Sequence, residues 1–148
     1  MSLFKLKDWW STTLGHGEQF SGGGLAAGII DNSGKPRIVS GSLQGWLRVH
    51  NPLMPNRTED STKSLLLEVR LDAPIYQLKV GRAHAIAVLH PSKLRVCTCS
   101  ARTNQGSSIE TSHLELTTQY IHDFEVKNIG THAFSMCLGS FGGSTDRE

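Results

Sequence analysis

A chain of 148 residues with 38% apolar side chains is long enough for one globular domain and apolar enough to build a core, which excludes disorder as the default. Its 15 basic and 13 acidic residues leave a formal charge of +2, too balanced to point to nucleic acid or an anionic membrane surface. Three cysteines (Cys97, Cys99 and Cys137) cannot all pair within one chain, which fits a reducing compartment.

Met1 to Leu14 interleaves Lys5, Lys7 and Asp8 with its apolar groups, so it lacks the uninterrupted apolar stretch of a signal peptide. No later run approaches the roughly 18 residues of a membrane span. Ser2 stands where myristoylation needs glycine. The glycosylation acceptor Asn56-Arg57-Thr58 has no export signal to accompany it. The expectation is a cytoplasmic protein with no membrane insertion.

Gly15 to Gly24 is rich in Gly and polar residues and reads as a loop, so residues 1–24 form an N-terminal aromatic segment and a Gly-rich connection. The regular chain, residues 25–148, starts after it. Leu25 to Ile30 and Arg37 to Ser40 read as strands around the Asp31-Asn32-Ser33-Gly34 turn, and Trp46 to His50 follows the Gly41 to Gly45 turn. Asn51 to Ser64, with Pro52 and Pro55, is a polar connection. Short strands then recur at Leu65 to Leu71, Ile75 to Val80, Ala85 to Leu89 and Leu94 to Thr98. After the polar loop Ser100 to Ser112 come His113 to Tyr120 and Ala133 to Leu138. No amphipathic helix is legible after residue 15.

Leu47-Arg48-Val49 returns as Leu94-Arg95-Val96, an offset of 94 − 47 = 47 residues. Each triplet closes a strand, turn, strand unit, Ile38 to Val49 and then Ile86 to Val96. The strands before these units also correspond, Leu25 to Ile30 with Ile75 to Val80, and Ala133 to Leu138 would open a third unit. Four short strands per roughly 45 residues is the period of a propeller blade. The fold expected is all-β: an incomplete β-propeller of about two and a half four-stranded antiparallel blades. A sandwich whose strands look alike by chance is the alternative.

Residues that could carry chemistry each have a plainer reading. Cys97-Thr98-Cys99 puts two thiols on one strand face, but a structural zinc site wants a Cys-x-x-Cys pair and a second pair, so buried small side chains are expected and no metal. Seven histidines are scattered with no ligand spacing. His122 beside Asp123 on a strand would point to the opposite face, which argues against a catalytic dyad. Ser21-Gly22-Gly23-Gly24 and Gly139-Ser140-Phe141-Gly142-Gly143 lack the Lys-Ser/Thr of a phosphate loop, so no cofactor is expected. Gly41, Gly45, Gly142 and Gly143 read as structural turn or close-approach positions. Trp46 reads as core, and the recurring Arg48 and Arg95 as solvent contacts at a blade edge. Phe4, Trp9 and Trp10, large aromatics outside the repeats, are the candidate interface or ring-closing residues.

Met1-Ser2-Leu3-Phe4-Lys5-Leu6-Lys7-Asp8-Trp9-Trp10-Ser11-Thr12 and Val39-Ser40-Gly41-Ser42-Leu43-Gln44-Gly45-Trp46-Leu47-Arg48 resemble the family of Bardet-Biedl syndrome protein nine, the parathyroid-hormone-responsive subunit of the BBSome. Asp31-Asn32-Ser33-Gly34, Leu65-Leu66-Leu67-Glu68-Val69 and Leu138-Gly139-Ser140-Phe141-Gly142-Gly143 extend the resemblance in the same order; Tyr120 to Thr131 departs from it. The resemblance implies an N-terminal propeller in a non-catalytic scaffold subunit of a coat-like ciliary trafficking complex. Its partners would be other BBSome subunits and, indirectly, ciliary membrane-protein cargo, and its sites the cytoplasm, cilium and basal body. The competing expectations are a generic cytosolic β-propeller or sandwich acting as a binding module outside cilia, or an enzyme with its site in the central channel.

Overall fold

The structure, a computed structural model, describes residues 10–52, 64–101, 113–124 and 133–139. Phe4, Trp9, Gly142, Gly143 and most of the two polar connections lie outside them.

Eight strands follow in chain order: β1 (Leu25–Gly28), β2 (Arg37–Gly41), β3 (Trp46–His50), β4 (Leu65–Arg70), β5 (Gln77–Val80), β6 (Ala85–Leu89), β7 (Lys93–Ala101) and β8 (Leu114–Asp123). They form two antiparallel four-stranded meanders, β1-β2-β3-β4 and β5-β6-β7-β8, with every neighbour in sequence a neighbour in space. The fold is therefore all-β, built of two sheets that close no ring among the described residues. Each sheet carries one register shift in its third strand, at Val49/His50 in β3 and at Val96/Cys97 in β7. These positions differ by the same 47 residues as the Leu-Arg-Val triplets. The repeat thus extends to an irregularity that has no reason to recur by chance.

Strand alternation decides which side chains fill the space between the sheets. Val39, Leu47 and Val49 from sheet one and Leu78, Ile86 and Val88 from sheet two face one another and are essentially solvent-free. Burying such side chains contributes roughly 1.5–3 kcal/mol each. β1 packs on β5 and β4 on β8, so like lies against like in the two sheets. The inner seam is tightened by a parallel bridge between Gly23 and Gln77. Gly41 makes the close approach possible: a Cβ there would lie 2.6 Å from Ile75 Cγ2.

The turns have local causes. Asp31 Oδ1 accepts the Ser33 amide at 2.9 Å, an Asx turn that starts the β1–β2 connection. Gly45, at φ +87°, donates its N–H to the Ser42 carbonyl at 3.0 Å and closes the β2–β3 hairpin. In the tight β5–β6 turn the left-handed positions are held by Ala83 and His84, at φ 54° and 61°, rather than by glycine.

The expected strand at Ala133 to Leu138 does not form. Residues 133–139 run extended along the outer side of sheet two, held by Ala133 N–H on the Pro91 carbonyl at 2.9 Å and Met136 N–H on Gln77 Oε1 at 2.5 Å. They occupy the place beside β5 that β5 occupies beside β1, but among the described residues nothing follows to supply a ladder, and a strand exists only through its ladder.

Candidate interaction site

Sheet one turns Trp46, Arg48 and His50 of β3 away from sheet two, because Leu47 and Val49 point inward. The register places Ser40 opposite Arg48 on one side and Glu68 on the other. This outer face should be wet, yet Ser40, Arg48 and His50 are only 3%, 7% and 3% exposed. A strap, residues 10–19, covers it. Trp10 tilts over the His50 ring with centroids 5.5 Å apart. Glu18 receives both terminal nitrogens of Arg48 in a fork, at 2.7 and 2.8 Å. Gln19 then caps the β2–β3 turn, accepting Leu43 N–H at 2.8 Å and donating its own N–H to Gln44 Oε1 at 2.9 Å. The strap therefore runs antiparallel to β3.

Arg48 also donates through Nε to Glu68 at 2.5 Å, so one guanidinium joins strap, β3 and β4. The fork from Arg48 is what holds the Glu18 carboxyl below its usual range, against the opposing effect of burial. Reciprocally, Glu18 raises the Arg48 pKa. His50 has neither ring nitrogen hydrogen-bonded, and burial, with Arg48 beside it, pushes its pKa down to about 4. Its ring is neutral at physiological pH. Trp10 Nε1 and Ser40 Oγ are likewise buried without a partner, so the contact between strap and sheet combines one strong ionic anchor with several unmet polar groups.

In sheet two the equivalent arginine, Arg95, reaches Asp72 at 2.6 Å and Thr118 Oγ1 at 3.2 Å, and Lys93 joins the same carboxylate. Lys93 is the leading reason that the Asp72 carboxyl sits low. Neither arginine is a simple solvent contact: both are ion-paired, and Arg48 is buried because a chain segment lies over it. Trp46 also departs from expectation. Alternation puts it outside the inter-sheet core, half-buried, with the Arg48 and Arg70 guanidinium carbons 5.4 and 5.9 Å from its ring.

A second buried ion pair closes the β1–β2 connection, with Arg37 Nε 3.0 Å from Asp31 Oδ2. Burial pushes Asp31 up, but the Ser33 hydroxyl and amide and Arg37 outweigh it and hold the carboxyl low. His90, fully buried, bonds the Pro74 carbonyl through Nδ1 at 2.8 Å, and burial lowers its pKa. Sequence reading missed Glu18, His50 and His90. The recurring arginine was the one available signal, since a repeated charge inside an apolar strand needs a repeated counter-charge.

Of the sequence-derived aromatic set, Trp10 meets this chain's own first sheet. Cys97 and Cys99 are buried and unpaired on the inward face of β7, and Cys137 is exposed. Among the described residues no group of three or more His, Cys, Asp or Glu is placed to hold a metal, and no helix is long and apolar enough to cross a membrane.

The outer face of sheet two differs in chemistry. Ala85, Ala87 and Val96 line an open groove of about 700 Å³ that continues to Leu138 on the 133–139 segment. At the start of β5, Tyr76 stacks with Phe134 at 6.3 Å, and Phe134 is 78% exposed. Both features suit contact with further protein surface rather than with water.

The profile of the family described as PTHB1 N-terminal matches residues 1–148. Protein PTHB1 of Homo sapiens is 38% identical over 158 residues, an alignment that covers 100% of this chain and 17% of that protein. The Xenopus laevis and Mus musculus proteins of the same name are 37% and 35% identical, and the chain covers 18% and 17% of their lengths. The chain thus spans less than a fifth of the relatives it matches.

Proposed function

The chain belongs to the PTHB1 N-terminal family, and from that membership we propose that it opens a closed β-propeller serving as a non-catalytic scaffold of the BBSome, the coat-like complex that carries membrane proteins to and from the cilium. The observation that carries the propeller half of this reading is the repetition of one meander with its register shift at the equivalent residue, packed inner strand on inner strand. A propeller closes only with further blades, since each blade buries both faces on neighbours. The apolar outer face of sheet two supports such continuation.

The scaffold half is supported by where the perturbed groups lie. Among the described residues, His50 is buried under the strap, His90 against the Pro74 carbonyl of the β4–β5 connection and Cys99 in the core between the sheets, so these perturbed groups are not gathered at one end of the inner strands, as a channel enzyme would require. The partners in this reading are other BBSome subunits, with cargo met indirectly, and the sites of action are cytoplasm, basal body and cilium. Co-purification of the extended protein from ciliated cells tests it. Elution in one stoichiometric complex with the other subunits is the expected result, and elution as a free monomer under the same conditions would refute the scaffold role.

A further inference from the structure

The strap over sheet one occupies the face on which a ring of blades has to close. Its own outward side is exposed at Thr13, His16 and Gly17, and the uncovered remainder of the face presents Leu25, 67% exposed, with Ala27, Glu68 and Arg70. The chain reaches β1, the inner strand, by crossing this face from the His50 end of β3, so strap and face cannot be parted without rerouting the entry into the first sheet.

We propose that residues 10–19 are a permanent layer of the closing interface: the last sheet of the extended protein packs on strap and sheet one together, giving sheet on strap on sheet over β2 and β3. The inference rests on the propeller reading and names the occupant as a sheet of this same chain beyond residue 148, which the relatives' greater length allows. The anchor argues that the strap stays. Were the closing sheet to displace it, Arg48 would lose the Glu18 fork and be buried beneath that sheet with Glu68 alone, beside a histidine whose ring nitrogens already have no hydrogen bond. The two outer faces differ accordingly. Sheet two offers Ala85, Ala87 and Val96 for direct packing, whereas sheet one has its polar row already roofed by chain.

Thiol labelling of the extended protein in a Cys137→Ser background tests the layer. His16→Cys reports the outward side of the strap, and Lys79→Cys, exposed on the outer face of sheet two, reports ring closure independently. Both thiols should react with maleimide at least tenfold more slowly than in the same protein unfolded in urea, and Glu18→Ala should speed the His16→Cys reaction at least threefold by cutting the anchor. Protection at Lys79→Cys without protection at His16→Cys would overturn the sandwiched strap and leave the ring standing. Protection at neither position would overturn both readings. Protection at His16→Cys alone would mean that something other than a closing sheet covers the strap, which also overturns the proposal, as would indifference of His16→Cys to Glu18→Ala.

Discussion

Replacing Gly45 with alanine isolates what the β2–β3 hairpin contributes. Gly45 sits at φ +87°, and a Cβ there would lie 2.7 Å from the Leu71 carbonyl oxygen and 3.0 Å from that of Ala73, both backbone atoms with little freedom to retreat. The left-handed conformation costs a residue with a Cβ about 1–2 kcal/mol. Forcing the methyl against the next strand connection adds about 1–3 kcal/mol, as overpacking generally does. The sum is about 2–5 kcal/mol, or a melting temperature lower by roughly 5–20 °C for a chain of this size. Gly34→Ala is the control, because Gly34 has φ +68° but no heavy atom within 4 Å of the added Cβ, so it carries the conformational cost alone. Urea titrations and thermal melts of the two variants beside the parent should order them parent, Gly34→Ala, Gly45→Ala. Equal midpoints for the two variants would refute the role assigned to the Leu71 and Ala73 carbonyls, and a Gly45→Ala melt within about 2 °C of the parent would refute the whole argument.

Stability should depend on pH in a window above that of the carboxylates. His50, at about 4, binds a proton less readily folded than unfolded, so its contribution is complete above pH 6.5 and is lost as pH falls from there toward 4, with a slope of at most about 1.4 kcal/mol per pH unit. His90 acts in the same direction. Urea midpoints measured from pH 4.5 to 7.5 should rise, and His50→Phe should flatten part of the rise; a flat parent profile would contradict the buried neutral rings. Of the three thiols, only exposed Cys137 should react with a thiol reagent in the native protein, because Cys97 and Cys99 are buried and burial pushes Cys99 up to about 12. Two or more equivalents labelled before unfolding would show that β7 is not packed as described. Ala83→Gly should stabilise by about 0.5–1 kcal/mol, since Ala83 holds φ 54° at its own expense; an unchanged or lower urea midpoint would place the strain elsewhere.

The strands and their grouping were legible in the sequence because the information is local and periodic. Alternation in Trp46 to His50 and Ala85 to Leu89, turn residues at Asp31 to Gly34 and Gly45, and the 47-residue return of Leu-Arg-Val fix two similar meanders without any long-range knowledge. Strand ends were less legible. β8 runs on to Asp123, beyond Tyr120, because β7 extends far enough to pair with it, and no strand forms at 133–139 because pairing depends on a partner rather than on composition.

What only the tertiary structure decided is the status of the polar side chains on the outer faces. Alternation assigns Trp46, Arg48 and His50 to one shared face, away from the inter-sheet core, which reads as a solvent face. Whether that face is wet depends on Glu18 and Trp10, which lie 30 and 40 residues before their partners, in an N-terminal aromatic segment and Gly-rich connection with no period to read. Burial, and with it the neutral His50 ring and the paired Arg48, is a property of what covers a residue. A strand pattern says which way a side chain points, and only the packed chain says what it meets there.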